Sequence, residues 1–173
     1  MGRLILVCGT NSSGKSAFAE KLAAGIGGEL YYLATMIEKT PENAARIKRH
    51  LCQRKSLNFK TVELAYQVSD APVTNSAVVL LEDVSNLMAN CLFDRQANAS
   101  QVLSDILGLL ERCATLIAVT ISGLDSSAFG AETAAYIDSL NDLNNALFDR
   151  ADTAIEMINN LPCIRKGVLD SAS

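Results

Sequence analysis

The sequence lacks a hydrophobic run long enough to cross a membrane. No stretch reaches the ~18 consecutive apolar residues that a membrane-spanning helix requires. The features of a signal peptide are also missing. Residues 1–3 (MGR) lead directly into the short apolar segment 4–7 (LILV), and no cleavage site follows it. Four apolar residues suit a strand, so we expect a cytoplasmic protein without a membrane span.

Paired cysteines are missing as well. The five cysteines are odd in number and widely scattered, and no C-x-x-C pair occurs: they are Cys8, Cys52, Cys91, Cys113 and Cys163. This distribution is typical of reduced thiols and argues against a disulfide framework or a zinc site.

An excess of positive charge is also absent, since the formal net charge is -4. A chain of this charge is not expected to bind nucleic acid through its whole surface, although a local basic patch suits a small anion. Its 173 residues, 49% of them hydrophobic, favour one domain with one substantial core, and no repeat, low-complexity tract or linker divides them. We expect a single domain over residues 1–173, with a polar tail at 167–173 that frays.

Strand-like and helix-like segments alternate along the chain. Apolar, β-branched runs predict buried strands at residues 4–8, 30–34, 77–81, 116–122 and 153–157. Apolar residues at three- and four-residue spacings predict helices at 16–24, 41–52, 86–93, 101–113 and 131–150. This order predicts an α/β fold with a mostly parallel central sheet and helices on both faces.

A phosphate-binding loop follows the first predicted strand. Residues 9–16, GTNSSGKS, fit G-x-x-x-x-G-K-[ST] and open the first predicted helix. Glycines at both ends permit torsions and close approaches that let successive N–H groups surround phosphate oxygens. Lys15 adds a charge for the β- and γ-phosphates, and the Ser16 hydroxyl is placed to ligate Mg²⁺. The predicted nucleotide-binding residues are Gly9, Thr10, Asn11, Ser12, Ser13, Gly14, Lys15 and Ser16. The single domain over residues 1–173 is therefore predicted to bind nucleotide and to be P-loop NTPase-like in fold.

A second carboxylate element is expected at the end of a neighbouring strand, where it holds the metal ion or its waters. The segment 77–83, AVVLLED, ends a strand in this way and makes Glu82 a candidate metal ligand beside Ser16. The alternative is that these acidic residues have no function, since strand ends are exposed to solvent and are often acidic for that reason alone. The phosphate loop favours the functional interpretation.

The only histidine lies in a basic helical segment. In a helix over residues 40–55, TPENAARIKRHLCQRK, Arg46, His50 and Arg54 follow one another at four-residue spacing. Neighbouring cations disfavour the imidazolium, so His50 is expected to be neutral and able to act as a nucleophile or base near a phosphate group. The alternative is a solvated basic face that happens to include a histidine.

Several segments together resemble the adenosylcobinamide kinase / adenosylcobinamide-phosphate guanylyltransferase family of cobalamin biosynthesis. The similarity runs from residue 4 to residue 157, nearly the whole chain. It is carried by residues 9–16, 33–35 (LAT), 45–47 (ARI) with His50, 61–63 (TVE), 80–82 (LLE), Asn90, 92–93 (LF), Asp138, 144–145 (NN) and 151–152 (AD).

The resemblance implies a bifunctional enzyme. Such an enzyme first phosphorylates the aminopropanol hydroxyl of the corrinoid adenosylcobinamide, using ATP or GTP with Mg²⁺. It then transfers GMP from GTP to that phosphate through a guanylylated histidine, and His50 is in the matching place. The two catalytic residues implied are therefore His50 and Lys15. The resemblance also implies a homotrimer, and it assigns nucleotide contacts to Ala34, Thr35, Met36, Arg54, Glu63 and Glu82.

Two segments depart from the family pattern. Residues 51–55 read LCQRK where the family typically shows a charged residue and then Asp-Gly-Arg-Pro, and residues 120–124 read TISGL instead of Thr-Asn-Glu-Val-Gly. These differences keep two alternatives open. One is a small-molecule kinase that transfers only the γ-phosphoryl group, and the other is a GTP-binding regulator that has lost catalysis.

Overall fold

A computed structural model describes residues 2–37, 40–54 and 56–169, apart from the side chains of His50, Gln53 and Arg54. The strands are β1 (Arg3–Gly9), β2 (Leu30–Ala34), β3 (Lys60–Glu63), β4 (Val78–Glu82), β5 (Thr115–Ile121), β6 (Thr153–Ile158) and β7 (Leu161–Lys166). The helices are α1 (Lys15–Ile26), α2 (Pro41–Arg54), α3 (Val84–Arg95), α4 (Ala99–Leu110) and α5 (Ala131–Arg150).

The seven strands form one sheet in the order β3-β2-β4-β5-β1-β6-β7. All neighbouring pairs are parallel except β6 and β7, which form an antiparallel hairpin at one edge. The predicted α/β class with a mostly parallel sheet is therefore confirmed. Because parallel strands end at the same edge, Gly9, Glu82 and Ile121 come together at the carboxyl edge, where ligands bind in open sheets of this kind.

Helices cover both faces of the sheet, as predicted. Successive strand side chains point to opposite faces. Leu4 and Leu6 accordingly pack in a core with α3, α4 and α5, whereas Ile5 and Val7 pack in a second core with Ala19 of α1. Because side chains alternate between the two faces, a continuously apolar strand such as β1 is buried on both of them. Among the described residues, no helix combines the length and apolar character that a membrane crossing needs.

The predicted strands and helices are present, with shifted ends. The helix expected at 101–113 runs instead from Ala99 to Leu110, because a capping box between Asn98 and Gln101 starts it earlier. It ends as the chain turns toward β5, where Arg112 N–H donates to the Leu109 carbonyl over 3.0 Å. The short strands β3 and β7 were not predicted.

The tail that was expected to fray divides in two. The Val168 carbonyl accepts hydrogen bonds from Thr153 Oγ1 over 2.8 Å and from Arg3 Nη2 over 2.9 Å, and Leu169 packs against the core on the α1 side. Residues 167–169 are therefore held against the sheet. Residues 170–173 lie outside the described part of the chain.

Candidate functional site

The turn between β1 and α1 contains the predicted phosphate loop. Gly14 is the residue that precedes α1, and it adopts a left-handed conformation with a φ of 87°. Ser12 also has a positive φ, of 57°, and the Ser13 side chain is buried. The loop therefore combines torsions that turn its backbone sharply with a helix N-terminus, which is the arrangement that binds anions through main-chain N–H groups.

Both end glycines of the loop are closely packed. A Cβ on Gly9 would lie 2.6 Å from Ser13 Oγ and 2.8 Å from the Met157 carbonyl oxygen. A Cβ on Gly14 would lie 2.6 Å from Asn160 Oδ1. Space requires glycine at position 9, where the near atom of Met157 belongs to the backbone. At Gly14 the near atom is the end of a side chain, and the left-handed φ is the stronger reason for glycine.

Lys15 begins α1 with its side chain folded back over the loop. Its Nζ donates to the Thr10 carbonyl over 2.6 Å. Partial burial lowers the pKa of Lys15, while the carboxylates of Asp83 and Glu82 act in the opposite direction. The ammonium group is thus close enough to both carboxyl groups to interact with them electrostatically, and it lies on the cleft side of the loop.

Ser16 lies one residue further along α1 and meets the end of β4. Its hydroxyl donates to Glu82 Oε1 over 2.5 Å. The other carboxylate oxygen of Glu82, Oε2, is buried and has no hydrogen-bond partner among the described residues. Burial first, and then the neighbouring Asp83, raises the pKa of Glu82 to about 8, against the lowering effect of the Ser16 hydrogen bond.

Asp83 connects this pair to α3 and to the end of β2. Its side chain caps α3 by accepting from the Asn86 N–H over 2.7 Å. Its backbone N–H donates to Thr35 Oγ1, which in turn donates to the Asp83 carbonyl, each over 2.8 Å. Burial raises the pKa of Asp83, with Asn86 N–H and the Arg46 guanidinium acting in the opposite direction.

A cleft of about 520 Å³ opens beside the loop. Residues 11–17 form one wall, and Arg46 and Arg49 of α2 form another. A third wall is apolar and is made by Ile121, Leu124 and Tyr136. Glu82 and Asp83 also line the cleft, which thus joins the backbone of the predicted phosphate loop, two arginines and two carboxylates to an apolar side.

The structure brings most of the predicted site residues to this region. Glu82 lines the cleft itself, and Ala34 and Met36 line an adjoining cavity of about 30 Å³ that also touches Arg46 and Glu82. Thr35 is fully buried, and its hydroxyl is occupied by the Asp83 backbone. Exposed Glu63 pairs with Ala34 across the β2–β3 ladder.

Two predicted residues on α2 are only partly described. The backbones of His50 and Arg54 belong to α2, which also carries Arg46 and Arg49 at the cleft. Their side chains lie outside the described part of the chain.

The structure adds residues that the sequence did not single out. Tyr136 of α5 donates its hydroxyl to the Ser85 carbonyl over 3.0 Å and lines the cleft. Asn160, in the turn between β6 and β7, donates its N–H to the Ser13 carbonyl over 3.2 Å. The pair Asn159–Asn160 is a signal for a two-residue hairpin turn and could have been recognised, but nothing local indicates that the turn contacts the loop.

Solved structures resemble this one in fold. An ATPase from the type III secretion system of pathogenic bacteria is 12% identical, with a TM-score of 0.56, and the match covers 93% of this chain and 53% of that one. This chain therefore spans about half the length of that ATPase. A protein of Pyrococcus horikoshii OT3 is 9% identical, with a TM-score of 0.56, and the match covers 99% of this chain and 90% of that one. At these identities the likeness shows the fold alone.

Among curated proteins, no sequence matches this chain significantly. The sequence profile of the CobU family, described as cobinamide kinase / cobinamide phosphate guanyltransferase, matches residues 5–164. That range includes the phosphate loop, Glu82, the whole of α2 and most of the β6–β7 hairpin. The chain therefore belongs to the CobU family of cobinamide kinase / cobinamide phosphate guanyltransferases.

Proposed function

We propose that this protein is a bifunctional transferase of cobalamin biosynthesis. It phosphorylates the aminopropanol hydroxyl of adenosylcobinamide with ATP or GTP, and it then transfers GMP from GTP to the resulting phosphate through His50. The observation that carries the proposal is the meeting of Lys15, Ser16 and Glu82 at the phosphate loop of a chain that belongs to the CobU family. A single domain, a cytoplasmic location and a homotrimer complete the proposal.

The first reaction needs positioning and charge more than covalent chemistry from the protein. The acceptor hydroxyl oxygen attacks the γ-phosphorus and loses its proton, and the bond from that phosphorus to the β–γ bridging oxygen breaks to release the nucleoside diphosphate. The N–H groups of the phosphate loop and the Lys15 ammonium stabilise the negative charge on the phosphate oxygens. For this, Lys15 leaves the Thr10 carbonyl, with which it pairs in the structure described here.

The donor set at Ser16 and Glu82 fits Mg²⁺. Magnesium prefers oxygen ligands, and here a serine hydroxyl lies 2.5 Å from one carboxylate oxygen while the second is buried without a partner. Ionisation of a carboxyl whose pKa burial has raised to about 8 is favoured by a nearby cation. When bound, the ion would offset charge on the phosphate oxygens, with Ser16 and Glu82 holding it.

The second reaction needs a nucleophile. A neutral His50 imidazole would attack the α-phosphorus of GTP, releasing pyrophosphate and forming a phosphoramidate bond. A phosphate oxygen of the phosphorylated corrinoid would then attack the same phosphorus and free the histidine. Arg46 and Arg49, on the same helix, line the cleft and supply positive charge near the reacting phosphates.

The remaining predicted residues would contact the guanine nucleotide around the adjoining cavity. Ala34 and Met36 line that cavity, and Glu63 and Arg54 are proposed to contact the nucleotide from β3 and α2. Since the Thr35 hydroxyl is engaged by Asp83, we propose that Thr35 contributes by holding the Glu82–Asp83 segment.

The guanylyl step can be tested by covalent labelling. GTP labelled at the α-phosphorus is expected to leave acid-labile label on wild-type protein, and His50→Asn is expected to abolish it without loss of the folded state. Glu42→Gln, at an exposed position in the first turn of the same helix, is the matched control and should label normally. Unlabelled wild-type protein that still binds GTP would contradict the guanylyl step.

The same variants separate the alternatives. A protein that only transfers the γ-phosphoryl group would phosphorylate adenosylcobinamide equally well with and without His50→Asn. A regulator would bind nucleotide but consume neither ATP nor GTP in the presence of the corrinoid. The regulator is favoured by one observation, the apolar wall that Ile121 and Leu124 present in the segment that departs from the family pattern.

A further inference from the structure

The carbonyl groups of the phosphate loop are held by neighbouring elements of the fold. The Gly9 carbonyl accepts from the Ser122 N–H over 3.0 Å at the end of β5, and the Ser13 carbonyl accepts from the Asn160 N–H over 3.2 Å in the β6–β7 turn. Both anchors come from residues far away in sequence. The loop is therefore fixed at both ends by parts of the chain outside the G-x-x-x-x-G-K-[ST] motif.

Each anchored carbonyl also determines the direction of an amide. A trans peptide unit is planar, so its C=O and the following N–H point in opposite directions. With the Ser13 carbonyl turned toward the β6–β7 turn, the Gly14 N–H is directed away from that turn. Gly14 lines the cleft beside the loop, so this direction suits an amide that donates to a ligand there.

The side chain of Asn160 lies against the same peptide unit. A Cβ on Gly14 would approach Asn160 Oδ1 to 2.6 Å and the Asn160 Cα to 3.4 Å, so Asn160 packs directly behind Gly14. Gly14 immediately precedes α1 and has a left-handed φ of 87°. Asn160 thus lies against the residue with this torsion, and its N–H is the group that bonds to the loop.

The turn itself has a defined geometry. Asn159 and Asn160 have φ values of 49° and 65°, and Ile158 pairs with Leu161 on either side of them. Two consecutive left-handed residues make the tight hairpin connection that asparagine tolerates better than most residues. Asn160 therefore presents its N–H to Ser13 from a tight two-residue turn.

We propose that Asn160 is a positioning residue for the phosphate loop, which holds the Ser13–Gly14 peptide so that the Gly14 N–H faces the phosphates of a bound nucleotide. The proposal rests on the proposed function, because it assumes that the loop grips a nucleoside triphosphate. It gives the exposed β6–β7 hairpin a role in nucleotide binding that no motif in its sequence indicates. Asn160 acts through the loop and is not expected to touch the reacting atoms.

Substitutions at Asn160 can separate its backbone from its side chain. Asn160→Gly keeps the N–H and favours the positive φ, so the Kd for the magnesium complex of GTP should stay within about two-fold of wild type. Asn160→Val strains the same φ and displaces the N–H, because a β-branched residue disfavours this conformation. We expect Asn160→Val to raise that Kd by about ten-fold, the effect of losing one charge-assisted hydrogen bond.

A readout confined to the phosphates distinguishes positioning from general damage. Inorganic tripolyphosphate, used to displace a fluorescent nucleotide, should lose affinity by the same factor in Asn160→Val, and the KM for nucleotide should rise more than kcat falls. Asn159→Val, which strains the adjacent turn residue, is the matched control. It should lower the melting temperature comparably but weaken tripolyphosphate binding less.

Each outcome decides the question. Equal weakening by Asn159→Val and Asn160→Val, or unchanged affinity in folded Asn160→Val, would overturn the positioning role. If Asn160→Val does not fold, Asn160→Ala takes its place, since alanine carries less strain at the same φ. A wild-type protein that binds neither nucleotide nor tripolyphosphate would refute the proposed function instead, so the two failures are distinguishable.

Discussion

The Ser16 hydroxyl donates to Glu82 Oε1 over 2.5 Å, although the two residues are 66 positions apart in the chain. The contact exists because β4 lies two places from β1 in the sheet and both strands run in the same direction. The start of α1 is thereby placed beside the end of β4. This pair brings the phosphate loop and the strand-end carboxylate of the proposed magnesium site within one hydrogen bond of each other.

Removal of the Lys15 charge should weaken nucleotide binding. We expect Lys15→Ala to raise the Kd for ATP and GTP by at least about ten-fold, because an interaction between a charged donor and phosphate oxygens is lost. Isothermal titration calorimetry measures this directly. Lys21→Ala, at an exposed position of the same helix, should bind like wild type. Unchanged affinity in Lys15→Ala would contradict the assignment of Lys15 to the phosphates.

A methyl group at Gly14 should damage both stability and binding. Gly14→Ala places a Cβ 2.6 Å from Asn160 Oδ1 and forces a non-glycine residue to a φ of +87°, at a cost of about 1–2 kcal/mol. Urea unfolding and nucleotide titration report the two effects. Gly25→Ala is the opposite case, since a Cβ there meets nothing within 4 Å, and a helical glycine replaced by alanine gains about 0.5–1 kcal/mol. Equal stability of the two variants would show that Gly14 is not constrained in this way.

The Glu82 carboxyl should make stability depend on pH. Its pKa of about 8 in the folded protein lies above the ordinary value of 4.5. Between these pH values the folded state retains a proton that the unfolded state releases. The stabilisation is therefore complete below about pH 4.5 and is lost as the pH rises through about 8.

Glu82→Gln tests this dependence, because glutamine does not ionise. Measured in EDTA from pH 5 to pH 9, its melting temperature should fall less steeply than that of wild type. Over this pH range the melting temperature of wild type should fall further than that of Glu82→Gln by more than about 2–4 °C, the shift that about 1 kcal/mol produces in a chain of this size. Glu111→Gln, at an exposed position, should follow wild type. Parallel curves for Glu82→Gln and wild type would contradict the raised pKa.

Thr35→Val should destabilise the end of β4. The substitution keeps the shape of the side chain but removes the hydroxyl that pairs with both the N–H and the carbonyl of Asp83. Loss of these partners should cost about 1–3 kcal/mol and weaken nucleotide binding through movement of Glu82. Chemical denaturation and calorimetry measure both.

Thr153→Val is the matched control for Thr35→Val. Thr153 is also buried, and its hydroxyl donates to the Val168 carbonyl over 2.8 Å at the opposite end of a strand from the loop. We expect a similar loss of stability without a change in nucleotide affinity. An equal effect of the two substitutions on affinity would argue against a role of Thr35 in the site.

Local patterns predicted the parts of the fold whose signals are local. Buried strands such as β1 and β4 are continuous apolar runs, so their position and type were predictable. The strands β3 and β7 lie at the two edges of the sheet and are mostly exposed, with Leu161 68% and Ile164 50% accessible. Without a buried face they show neither a continuous apolar run nor a regular alternation. Their pairing with β2 and β6 comes from the fold.

The same distinction between local sequence signals and contacts made by the fold applies to the site. The phosphate-loop motif could be recognised because it consists of residue types within eight consecutive positions, and Glu82 could be recognised as the carboxylate at the end of an apolar strand. The role of Thr35 as a partner of the Asp83 backbone was not predictable, because a hydroxyl pairs with whatever backbone the fold brings beside it. The placement of Tyr136 in the cleft depends in the same way on how α5 packs against α3.

The sequence by itself determined the α/β class, the phosphate-loop motif and the family, because these depend on apolar periodicity, on residue types at short fixed spacings and on the order of motifs along the chain. Only the tertiary structure decided that Ser16 meets Glu82, that Asp83 is held by Thr35, and that Asn160 supports Gly14. These contacts depend on the order of strands in the sheet. That order follows from the packing of the whole chain, and no short segment encodes it.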